Sequence, residues 1–105
     1  MSVALFTHPA CLEHDTGPWH PECADRLRAV LRALEAPEFA DLLREQAPRA
    51  TRAELERVHP PDYAEAILSI LPPEGEAVGL DADTLMSAGS AEAALHAAGG
   101  AIFAA

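Results

Sequence analysis

The sequence predicts an α/β fold with a parallel sheet, on three observations. A short β-rich apolar run, Ser2 to Thr7, opens the chain, a weaker one is available at Arg44 to Ala50, and helical apolar spacing lies between and after them. Strands separated by helices favour a βαβ arrangement. A parallel sheet needs both faces covered and more strands than these two, so the 105 residues read as part of an α/β domain. Half the residues are apolar, but 23 of the 105 are alanine and five are aromatic, which predicts a thin core.

The first run stops at His8-Pro9 and is expected to be a buried strand. Ala10 to Pro21, with Gly17, Pro18, Pro21 and Trp19, has the composition of an irregular loop. Pro21 suits a first helical turn, Glu22 and Asp25 suit its positive end, and Leu27, Val30, Leu31 and Leu34 recur at helical spacing, so a helix is expected from Glu22 to Ala36. Pro37 breaks it, and a short helical piece at Glu38 to Leu43 precedes the second strand. Thr51 and Glu54 form the pattern of a capping box opening a short helix to His59. A further helix should place Tyr63, Ala66, Ile67, Ile70 and Leu71 on one face before Pro72-Pro73 ends it.

A turn-rich connector then leads to Leu80 to Met86, read as a polar loop with two spaced carboxylates, and Ser87 or Ser90 is available to cap the next element. That last element is a helix over Ala91 to Ala105, with Leu95, Ala98, Ile102 and Ala105 on one stripe. Gly99-Gly100 in its interior costs roughly 1 kcal/mol per glycine against alanine, which points to close approach of another backbone. No partner for it stands out in the chain, and the helical pattern ends without a closing signal, as a longer domain would leave it.

Seventeen acidic residues face seven arginines, for a formal charge of -10, which opposes nucleic-acid binding. No apolar run reaches a membrane span and no basic signal region opens the chain, so a cytoplasmic protein is expected. Cys11 and Cys23 are too few for a disulfide scaffold and are expected to be reduced. With His8, His14 and His20 they form a cluster of zinc-ligand types, but the spacing matches no standard zinc finger, and loop and packing roles are the preferred reading. The same loop offers Trp19 and its histidines as walls of a pocket mouth. Asp81-Ala-Asp83 lacks the later ligands of a calcium loop.

Read together, Cys11-Leu-Glu-His14 leading to Thr16-Gly17, His20-Pro-Glu22 followed by Arg26-Leu27, Ala50-Thr51 with Glu54-Leu55 and Val58-His59, Tyr63, Leu80-Asp-Ala-Asp-Thr84, Ser90 and Ala93-Ala94-Leu95 with Gly99-Gly100 resemble the amino-terminal part of the histone deacetylase superfamily. That superfamily includes class II-like deacetylases, acetoin utilisation proteins and acetylpolyamine amidohydrolases. The resemblance implies the amino-terminal third of an arginase/deacetylase-like three-layer α/β/α domain around a parallel sheet. It implies zinc as the cofactor of the complete domain, a hydrolase acting on an acetylated lysine or acetylated small amine, and zinc ligands, catalytic histidines and a catalytic tyrosine that come after Ala105.

On this resemblance no catalytic or metal-binding residue falls within the chain. His20 and Pro21 match the wall of the substrate tunnel, and Asp81 matches the rim aspartate that accepts hydrogen bonds from the substrate backbone. Arg26 matches the arginine beside the proposed acetate channel, which favours its burial, while Asp83 is nearer a structural role. Family members with a structural zinc in this region use a different Cys/His spacing. Two other readings compete: a catalytically inactive truncated relative that oligomerises or binds a partner through its apolar last helix, and a small zinc protein built on the His/Cys loop.

Overall fold

The computed structural model describes residues 2–105. β1 (Ala4–Thr7) and β2 (Leu43–Gln46) pair in parallel, with Ala4 opposite Leu43 and Thr7 opposite Gln46. α1 (Ala24–Ala33) lies between them in sequence, giving the expected βαβ order. β1 is not the buried strand expected: Leu5, Phe6 and Thr7 are half-buried, and β2 is exposed at every position. A two-stranded sheet supplies too little cover for either strand.

Several element ends differ from their expected places. Pro9–Glu13 forms a 3-10 turn inside the segment read as irregular loop, capped by the His8 ring, whose Nδ1 accepts from Ala10 N–H at 3.0 Å. α1 starts at Ala24, with Cys23 as its extended N-cap, so Pro21 and Glu22 precede the helix. The helical piece after Pro37 is a 3-10 turn over Pro37–Phe39. α2 (Arg52–Leu55) opens with the capping box, Thr51 accepting from Glu54 N–H and Glu54 from Thr51 N–H, and it stops before His59. In α3 (Pro61–Leu68) the inward face is Ala64 with Ile67 and Leu68 half-buried, while Tyr63 and Leu71 are exposed.

Leu80 to Met86 is not a polar loop. It belongs to an antiparallel hairpin of β3 (Ala77–Asp81) and β4 (Thr84–Ser87), turning at Ala82-Asp83 with an irregularity between Gly79 and Asp81. Gly79 and the bulge interrupt the alternation by which a strand is read, and Ala-Asp is not one of the strong hairpin-turn pairs.

α4 (Ser90–Ala104) organises the core, packing on the 3-10 turn and β1 and burying Ala91, Ala93, Leu95, His96, Gly99 and Gly100. The close neighbour that Gly99-Gly100 calls for is within the chain. A Cβ on Gly99 would fall 2.8 Å from Ala50 N, and one on Gly100 would fall 2.9 Å from Ala47 Cβ, so α4 rests directly on the segment joining β2 to α2. Ala50 N–H donates to Leu95 O at 3.0 Å across that contact. The core is thin, as the alanine content predicts: its buried apolar side chains are five alanines with Met86 and Leu95. Among the described residues no helix is long and apolar enough to cross a membrane.

Candidate functional site

The segment from Glu13 to Pro21 and the β3–β4 turn are far apart in sequence and meet at one edge of the molecule. Three sets of hydrogen bonds hold them there. His20 Nδ1 accepts from Glu22 N–H at 3.0 Å, which leaves the ring proton on Nε2, and Nε2–H donates to Asp83 O at 2.8 Å. Asp15 N–H donates to Ser87 Oγ at 2.9 Å. His14 Nδ1 meets Ser90 Oγ at 2.6 Å, and Ser90 Oγ also accepts from Ser87 N–H at 2.7 Å. Thr16, buried, donates its hydroxyl to Glu22 O and closes the loop on itself.

Ser87 and Ser90 are both buried, so the bonds their hydroxyls make are sheltered from competing water, whereas the His20 to Asp83 bond is exposed. Neither serine caps α4 as expected. The N-cap is Gly89, and Ser90 turns its hydroxyl back to Ser87 N–H ahead of the helix. Gly89 is where the loop comes nearest: a Cβ there would stand 2.6 Å from Glu13 Cβ. A side chain would push the loop off the helix start.

Asp81 lies at the end of β3, exposed, beside the His20 contact. Its Oδ1 accepts from Asp83 N–H at 2.8 Å. That backbone bond, then the Thr84 hydroxyl, holds the Asp81 carboxyl below its ordinary range. The group is therefore ionised at neutral pH and oriented by its own turn, and an ionised carboxylate keeps acceptor sites beyond those the turn uses. Trp19, 93% exposed, shares an open cleft with His20, Pro21, Asp83 and Leu85. His20 and Pro21 thus line one cleft with Trp19 and Asp83, and Asp81 stands on the same turn, bonded to Asp83 N–H.

Arg26 is not buried. Its side chain is 67% exposed and forms an ion pair with Glu22, one turn earlier. No described element covers that face of α1, which buries none of its residues. The five Cys/His residues also do not converge. His8 caps the 3-10 turn, His14 bonds Ser90, His20 bonds Asp83, Cys11 Sγ lies 3.8 Å from Ala93 O, and Cys23 precedes α1. Both cysteines are free thiols.

The family model described as the histone deacetylase domain matches residues 20–105. The chain belongs to that family. It is 35% identical over 89 residues to the uncharacterized protein slr0245 of Synechocystis sp., a match covering 81% of this chain and 29% of that protein. It superposes on a crystal structure of the HDA15 HD domain with a TM-score of 0.75 at 28% identity, covering 93% of this chain and 29% of that one. The fold is accordingly the α/β deacetylase fold, and the chain spans about 29% of the length of these relatives.

The histone deacetylase family is generally zinc-dependent, but among the described residues no three His, Cys, Asp or Glu side chains gather where they could hold a metal ion. These residues do not fit a zinc centre. What the sequence did not single out is the buried His96, whose Nδ1 lies 2.9 Å from Ala47 O and whose ring stacks on His8. Its signal was its place on the Gly99-Gly100 side of α4, where a polar ring must find partners.

Proposed function

We propose that the chain is the amino-terminal segment of a deacetylase domain and forms the substrate-facing rim of a site that hydrolyses the amide of an acetylated lysine or acetylated small amine. The observation that carries this reading is the His20 to Asp83 hydrogen bond, which seats the first loop against the turn that orients Asp81. In this reading His20 and Pro21 shape access, and the Asp81 carboxylate accepts a substrate N–H to align the amide. Arg26, exposed at the start of α1, offers its planar fork of donors to the leaving acetate. Zinc, if the complete domain uses it, is held by residues outside those described.

The test is deacetylation of an acetyl-lysine peptide and of an acetylated polyamine by the natural gene product, with and without Asp81→Ala. The expected result is turnover in the parent and a KM raised about tenfold in the variant with a smaller change in kcat, as loss of a positioning contact predicts. No turnover of either substrate overturns the reading. It leaves a catalytically inactive binding module, for which a defined oligomer in light scattering is the mark.

A further inference from the structure

We infer that the stacked pair His8–His96 is a proton-sensitive joint that fastens the Pro9–Glu13 turn to α4. The ring centroids are 3.6 Å apart with planes 13° from parallel. His96 is buried and His8 half-buried. The two rings are held in opposite hydrogen-bonding senses. His8 Nδ1 accepts from Ala10 N–H at 3.0 Å, so its ring proton sits on Nε2. His96 Nδ1 faces Ala47 O at 2.9 Å, and since a carbonyl only accepts, Nδ1 carries the proton there.

That asymmetry decides what a second proton does to each ring. His96 Nε2 faces Glu92 Oε2 at 3.4 Å, so a proton added there meets a carboxylate and costs no existing bond. A proton added to His8 goes to Nδ1, destroys the cap on Ala10, and, once His96 is charged, sets two like charges face to face at stacking distance. Glu92 also pairs with Arg49 at 2.6 Å, so its charge is already shared. The other titratable groups around the pair are Cys11 on the turn, His14 bonded to Ser90, and the exposed Glu13. β1 contributes none, and α1 contributes only Leu27 to the groove beside His96. Proton uptake by His8 thus loosens the His8 end of the turn from α4, while the far end, where Glu13 O accepts from Ser87 Oγ at 3.4 Å, and the backbone pairing of β3 with β4 use neither ring.

The experiment is a pH titration of the isotopically labelled full chain by NMR, reading imidazole nitrogen shifts and amide exchange corrected for its intrinsic pH dependence. At about pH 8 the shifts should show the proton on Nε2 of His8 and on Nδ1 of His96, as their hydrogen bonds require. On acidification from about pH 8 to 5, protection of the Ala10 amide should fall about tenfold, as loss of one ordinary hydrogen bond gives, while the β3–β4 hairpin holds. His8→Asn keeps a capping acceptor and removes the titrating ring, and should abolish that fall. The reverse tautomers in the parent chain overturn the proposal whatever the variant does. So does an unchanged loss of protection in His8→Asn, or constant protection in the parent.

Discussion

Replacing Gly99 by alanine tests the contact on which the core is built. In an exposed helix interior the exchange would stabilise the chain by roughly 1 kcal/mol, because alanine is the better helix former. Here the new methyl group would overlap the Pro48 carbonyl oxygen and lie 2.8 Å from both Ala50 N and the Pro48 carbonyl carbon, all backbone atoms that no rotamer change can move aside. Seating it by moving α4 off the connector costs about 1 to 3 kcal/mol of overpacking. The same shift stretches the Ala50 N–H to Leu95 O bond, now 3.0 Å, for about 1 kcal/mol more. Set against the propensity gain, the net expectation is a loss of about 2 kcal/mol. Urea unfolding followed by helix ellipticity measures it, with Ala101→Gly on the exposed side of α4 as the reference for propensity alone. A Gly99→Ala chain as stable as the parent, or more so, would refute the packing of α4 on the Pro48–Ala50 backbone.

Three further outcomes concern the rim and the caps. Ser90→Ala removes the acceptor for the buried Ser87 N–H and the partner of His14, and should cost about 1 to 3 kcal/mol in the same urea assay; a neutral effect would mean the hydroxyl is not needed there. Thr51→Ala should cost about 1 kcal/mol and lose exchange protection at Glu54 N–H, with Thr51→Ser restoring both. The Asp81 carboxyl titrates below its ordinary value of 3.8 because the folded turn favours the ionised form. Its contribution to the turn is therefore fully present above 3.8 and is lost as pH falls through the lower folded value. Amide shifts of Asp83 and Thr84 should stay constant from about pH 6 to 4 and move only below that, and movement centred above 3.8 would contradict the turn geometry.

How far the fold was legible depended on the sequence distance over which each feature is decided. The Thr51/Glu54 box is settled within one helical turn, and it formed as read. Gly99-Gly100 announced a close neighbour, since only approach of another chain segment offsets two interior glycines. Its identity, Pro48 to Ala50, depends on how β2 runs into α2 and has no local sign. The β3–β4 hairpin was missed because Gly79 and the neighbouring irregularity erase the period of two, and Asp81 and Asp83 look like loop carboxylates until their backbone pairs. Arg26 has a different standing: its likeness to a channel arginine concerns burial against parts of a domain beyond the described contacts, whereas within these residues it is exposed and paired with Glu22. His8, Cys11, His14, His20 and Cys23 share a short stretch of sequence, yet the 3-10 turn and the extended N-cap of α1 send them to different partners.

The rim and the sheet rest on different kinds of contact. The sheet has only two strands, both incompletely covered, and apolar side chains such as Val30, Leu43 and Phe103 remain 54%, 54% and 67% exposed. Burial of that surface needs atoms beyond the described contacts, whether from further parts of a domain or from another molecule. The rim, by contrast, is closed by directed bonds between residues of this chain: His20 to Asp83 O, Asp15 N–H to Ser87, His14 to Ser90, and Asp81 to its own turn. Directed bonds fix distances and angles that apolar contact leaves adjustable. The placing of His20 against the β3–β4 turn that carries Asp81 therefore rests on bonds within these 105 residues. Packing added at the sheet should raise stability while leaving the rim geometry as it stands.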